Sequence, residues 1–177
     1  MNICLIMPNV FPVPATKGGA TETLITNLLN ENEKKGLINF TCVSVYEEKA
    51  EELSKQYEYT KFVYINQKRK NSDLTFEQKD ENFAKYMDEI SKKINVSDFD
   101  FVIIEGGDIS GYEYILKKFP KKKCLVHIHG DEIGNNEINN RIYEKFIAIS
   151  KYTYNVIMKD GKITKDKIEL LYNAINL

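Results

Sequence analysis

The chain of 177 residues lacks the short signatures of several large α/β classes. No Gly-x-Gly-x-x-Gly follows its first apolar run, and the loop there is far longer than a dinucleotide-binding turn. It has no Walker A sequence and no Gly-x-Ser-x-Gly elbow. These absences weigh against a dehydrogenase, a P-loop ATPase and an α/β-hydrolase. Cysteine is scarce. Cys4, Cys42 and Cys124 each sit in a predicted strand without metal spacing and read as small hydrophobes in a reducing compartment. No apolar run reaches the ~18 residues that span a bilayer. The opening Met-Asn-Ile-Cys-Leu-Ile-Met has no basic n-region and too short an apolar run for a signal peptide. The formal net charge of −1 gives no general attraction to nucleic acid. The chain is expected to be cytoplasmic, with at most a peripheral membrane contact.

What is present is an alternation of strands and helices. Ile3 to Met7 is a continuous apolar run, as in a parallel strand covered on both faces. A long loop, 8–17, leads to Gly18-Gly19 and a helix with apolar positions Ala20, Leu24, Leu28 and Leu29; Gly36 stops it. Further strands are expected at Phe40–Val45, Phe62–Ile65, Phe101–Ile104, Cys124–Ile128, Glu144–Ile149 and Ile168–Tyr172. Helices are expected at Glu47–Tyr57, Leu74–Ile94, Tyr112–Phe119 and Tyr152–Met158, the last capped by Ser150. Gln67–Ser72 reads as a loop and Glu132–Asn140 as polar and turn-rich. This pattern predicts an α/β domain, a Rossmann-like doubly wound parallel sheet of six or seven strands.

Polar or glycine-rich residues end three strands: Asn9 to Gly19, Glu105 to Asp108, and His129 to Asp131. In a parallel sheet these carboxyl ends share one edge, where ligands bind. Gly18 and Gly19 at a helix start offer free N–H groups to a phosphate, or form only a connecting loop. His129 suits proton traffic or sugar-hydroxyl contacts. His127 points to the same face but lies inside the strand and reads as a packed core residue. The i, i+2 pair lacks a third ligand at firm spacing, so no metal is expected. Glu105 is a candidate for hydroxyl binding or base chemistry, whereas Asp108 reads as a helix cap. Lys117, Lys118, Lys121, Lys122 and Lys123 form either a solvated turn or a surface for anionic lipid.

Together these stretches resemble the N-terminal domain of a GT-B glycosyltransferase of the group 1 kind (family 4). The resemblance rests on the opening strand, long loop and Lys17-Gly18-Gly19-Ala20-x-Glu22. It rests also on the strand ending in His129-Gly130 and on the tail from Ile149-Ser150-Lys151 to Asn173-Ala174-Ile175-Asn176. Ala174 stands where the family usually has Gly, and Asn176 where it has Asp. The resemblance implies the acceptor-side domain, residues 1–172, with 173–177 starting the hinge to a C-terminal domain that this chain does not include. It implies a retaining enzyme moving sugar from a nucleotide-sugar donor to a glycan or lipid-linked acceptor, as in bacterial cell-surface polysaccharide synthesis. The nucleotide sugar is a co-substrate; no other cofactor is implied. His129 would act at the sugar, and Gly18, Gly19, Glu22, Glu105, Gly130 and Asp131 would line the substrate site. Most donor contacts would lie in the second domain, leaving this part inactive alone. Two other classes stay open: a non-catalytic Rossmann-like partner subunit, and a flavodoxin-like or receiver-like domain.

Overall fold

The computed structural model describes residues 1–66, 75–106, 120–130, 136–159 and 161–173. The strands are β1 (Asn2–Ile6), β2 (Asn39–Val45), β3 (Thr60–Ile65), β4 (Phe101–Glu105), β5 (Cys124–Ile128), β6 (Lys145–Ala148) and β7 (Ile168–Leu170). The helices are α1 (Ala20–Lys35), α2 (Glu48–Ser54), α3 (Phe76–Lys93), α4 (Asn136–Ile142) and α5 (Lys151–Met158). The strands form one sheet in the order β3-β2-β1-β4-β5-β6-β7, every pair parallel. Strand order reverses between β1 and β4, which makes the crevice beyond their carboxyl ends the switch point of the fold.

Alternation along the strands divides the buried residues between two faces. Cys4, Ile6, Val102, Ile104, Val126, Ile128 and Phe146 meet α3 residues Tyr86, Met87 and Ile90, and Ile142 and Ile157 from α4 and α5, in one large core. Ile3, Leu5, Phe40 and Cys42 meet Ile25 and Leu29 of α1 in a smaller one. All three cysteines are fully buried and free, as the sequence suggests. Burial pushes the thiols of Cys4 and Cys124 up to about 12.

Local chemistry sets the helix ends. Thr75 and Gln78 form a capping box at α3, and the Ser150 hydroxyl accepts from Thr153 N at the start of α5. Gly36 closes α1 in the left-handed region (φ 63°), donating to Asn32 O; a side chain there would also strike the Tyr59 ring.

Three expectations need correction. The buried stripe of α1 is Glu22, Ile25, Leu29 and Asn32, while Ala20 is exposed and Leu28 47% exposed. The stripe is rotated because Leu24 and Leu28 face an open groove, not the sheet. The polar 136–142 segment is a helix that packs Ile142 and Tyr143 into the large core. The last strand ends at Leu170, with Leu171 N still donating to Ala148 O, and Tyr172 is exposed. The expected helix at 112–119, the 67–72 loop and Asp108 lie outside the described residues.

Candidate functional site

The long loop after β1 is fastened to the sheet edge. Val13 N donates to the Ser44 hydroxyl (2.9 Å), and the Tyr64 hydroxyl reaches Val13 O (3.1 Å) and Ala50 O (2.9 Å). The Thr16 hydroxyl donates to Glu47 Oε2 (2.7 Å), which also accepts from Ala50 N at the start of α2. The loop thereby delivers Gly18 (φ 84°) and Gly19 (φ 93°) to the start of α1 in conformations that favour glycine. Nothing lies within 4 Å of the place a Gly18 side chain would take, so its backbone is open to approach.

Gly19 serves a different purpose. A side chain there would collide with the carboxylate of Glu22, which folds back over it, 4% exposed. Burial pushes the Glu22 carboxyl up, and its own backbone N–H and the nearby charge of His129 only partly offset this. The carboxylate sits in the first turn of α1, at the positive end of the helix.

Across the switch point, register brings three side chains together. β4 and β5 pair with Glu105 beside His127, and His129 follows two residues on, facing the same way. His127 Nδ1 lies 2.9 Å from Glu105 Oε2, and His129 Nε2 lies 2.8 Å from the same oxygen. The two rings are 4.3 Å apart, centroid to centroid. Glu105 is 4% exposed and His127 8%. Burial pushes the Glu105 carboxyl up. The hydrogen bonds of His127 and His129 push it down harder and hold it below the usual carboxylate range.

His127 is therefore buried, as expected, and its Nδ1 is paired with the Glu105 carboxylate. Its Nε2 has no partner among the described residues. Asn9, 5% exposed just after β1, likewise has an unpartnered Nδ2. Buried polar atoms without partners are rare in folded proteins. Among the described residues, one donor and one ring nitrogen are thus left over at the carboxyl edge of the sheet. Asn9 was not singled out from sequence; its place directly after a buried strand was the available signal.

His127 also lines a groove of about 330 Å³ between α1 and residues 171–173, walled by Leu24, Leu28, Leu171 and Tyr172. Gly130 is open, with nothing within 4 Å of its would-be side chain. Asp131 and Gly107 lie outside the described residues. Lys121 and Lys123 precede β5, at the opposite edge from the cleft. Their amines donate to Asn140 O (2.8 Å) and Phe99 O (2.5 Å), which makes them clasps on the backbone. Lys117 and Lys118 are outside the described residues.

Glu105, His127 and His129 each offer a ligand atom within 4.8 Å of the others. Glu105 is the third potential ligand that spacing along the chain does not reveal, and its Oε2 bonds to both rings. No described helix is long and apolar enough to cross a membrane.

A seven-stranded parallel Rossmann-like sheet of this order is the fold of a GT-B N-terminal domain. The chain is similar over 99% of its length to a glycosyltransferase from Rickettsia africae ESF-5, at 24% identity and a TM-score of 0.58, covering 43% of that chain. A sucrose-phosphate synthase chain from Thermosynechococcus elongatus matches over 99% of this chain and 91% of its own, at 10% identity and a TM-score of 0.59. A UDP-GlcNAc 2-epimerase from Neisseria meningitidis, bound to UDP-GlcNAc, matches over 96% of this chain and 45% of its own, at 12% identity and a TM-score of 0.54. This chain thus spans less than half of the Rickettsia africae and Neisseria meningitidis chains. At these identities the likeness is one of fold. No protein-family model and no curated protein sequence matches the chain.

Proposed function

We propose that this domain is the acceptor-side half of a retaining glycosyltransferase that uses a nucleotide-sugar donor and a glycan or lipid-linked acceptor, in bacterial cell-surface polysaccharide synthesis. The observation that carries the reading is the Glu105–His127–His129 trio at the carboxyl edge, across the switch point from Gly18 and the start of α1. The helix start and the open Gly18 backbone suit a diphosphate. The Glu22 carboxylate beside them narrows that seat and favours approach from the Gly18 side. Asn9 Nδ2 supplies a further donor. His129 meets the sugar, binding its hydroxyls or easing transfer, and Gly130 leaves space beside it. A lipid surface meeting the lysines before β5 would lie at the edge away from this cleft.

The test is release of nucleoside diphosphate from nucleotide sugars. The 177-residue chain alone is expected to show none, and a polypeptide that includes a second α/β domain is expected to turn over. There, His129→Ala should lower kcat/KM by about 10²-fold or more. Turnover by the 177 residues alone, or full activity of the His129→Ala enzyme, overturns the reading.

The groove supports a second reading, a non-catalytic partner subunit, because its walls expose Leu28, Leu171 and Tyr172. That reading expects a stable hetero-complex on size-exclusion and no turnover in any longer polypeptide.

A further inference from the structure

Both histidines bond to one oxygen of Glu105, through different ring nitrogens. His127 uses Nδ1 and His129 uses Nε2. An ionised carboxylate has no proton to give, so each of those nitrogens carries one. In a neutral imidazole the other nitrogen is then bare. Free imidazole side chains have no such constraint; here the constraint has opposite consequences for a residue of β5 and the residue just beyond its end.

We infer that Glu105 is a positioning residue that locks the neutral histidines in opposite tautomers, His127 as Nδ1–H and His129 as Nε2–H, and so offers two ring lone pairs, His127 Nε2 and His129 Nδ1, to hydroxyl donors of a ligand. His127 is the more exacting member. Its Nε2 is buried and without a partner among the described residues, and the ring lines the groove beside α1. A buried N–H at that atom would be an unsatisfied donor, whereas a bare nitrogen waits for a donor from the ligand. A bare ring nitrogen repels a phosphate oxygen and accepts a hydroxyl. The trio is therefore the hydroxyl-binding end of the cleft, and the start of α1 is the phosphate end. The ligand half of this inference rests on the nucleotide-sugar reading; the tautomer half does not.

The sequence holds two histidines, so a protein labelled with [15N]histidine has four ring nitrogens to assign. Long-range proton–nitrogen correlation spectra of the 177-residue chain at pH 8.5, where ordinary histidine is neutral, report which nitrogen carries the proton. The expected result is His127 protonated at Nδ1 and His129 at Nε2. Either ring found in the other tautomer overturns the inference. In Glu105→Ala, shown to be folded by far-UV circular dichroism, His127 is expected to shift to Nε2–H. Unchanged tautomers in that folded variant remove the positioning role. Should the variant not fold, the parent spectrum decides alone. The measurement needs no ligand, so its failure leaves the nucleotide-sugar reading standing. Absence of turnover in a longer polypeptide leaves the tautomers standing.

Discussion

The two faces of the sheet are made from alternate residues of the same strands, and they differ in kind. On the α3 side the apolar residues run without a break from Ile65 on β3 to Ile168 on β7. On the α1 side the core among the described residues is confined to β1, β2 and their neighbours. Further along that side Ile103, Leu125 and Ile147 are only half-buried, and Glu105 and His127 end the row. β4 makes the contrast within five residues: Val102 and Ile104 point one way, Ile103 and Glu105 the other. β5 repeats it, with Val126 and Ile128 against His127. One face is committed to stability; the other gives up apolar burial at the switch point and holds a charge there.

If the faces divide in this way, substitutions on them should differ in size and in what they disturb. The largest effect belongs to the continuous core. Phe146 is fully buried, edge-to-face with Tyr143 at 5.9 Å. Phe146→Ala is expected to lower stability by about 3–5 kcal/mol in urea titrations, while folded molecules keep the parent's histidine tautomers. A loss below about 1 kcal/mol, or altered tautomers in the folded variant, would break the division.

Glu105→Gln comes next. At pH 7 it should cost about 1–3 kcal/mol, the range for weakening hydrogen bonds to a buried charged group. Its pH dependence has a definite sign. The Glu105 carboxyl is held below the ordinary glutamate value of about 4.3. Its stabilisation is therefore complete above that pH and is lost as the pH falls through the lower folded value. Denaturant titrations of parent and variant should differ at pH 7 and converge in acid. An equal difference at both pH values would show that the loss comes from packing and not from charge.

The smallest effect is expected at the groove. Leu28→Ser on the exposed side of α1 should change stability by no more than about 0.5 kcal/mol. A loss as large as that at Phe146 would mean that Leu28 is covered in the folded protein and that the α1 face is more complete than its exposure indicates.

The α3 face was the more legible of the two. Continuous apolar runs marked its strands, and apolar positions at helical spacing within 74–94, Phe83, Met87 and Ile90 among them, fit the helix that covers them. On the α1 face, periodicity misplaced the helix stripe. Ala20 and Leu28 are apolar but exposed, and the stripe includes Glu22 and Asn32, whose polar ends find partners at the helix termini. Asn32 Nδ2 donates to Ile38 O, so an amide takes a core position by satisfying the chain that leaves the helix. Glu105 and His129 could each be singled out as strand-end residues. Their meeting depends on the register between strands about 20 residues apart, which no local pattern encodes. Asn9 was hidden for the same reason, since its burial depends on what lies across the edge.

Gly19 and Glu22 give the start of α1 a direction in sequence space. Glutamate can tuck its carboxylate over the helix start only if position 19 has no side chain. Glycine at 19 asks nothing of position 22. A lineage can therefore acquire the glycine first and the glutamate afterwards. The reverse order passes through an intermediate whose acid has no seat. In a library randomised at both positions, glutamate at 22 should come back almost always with glycine at 19, while glycine at 19 comes back with many partners.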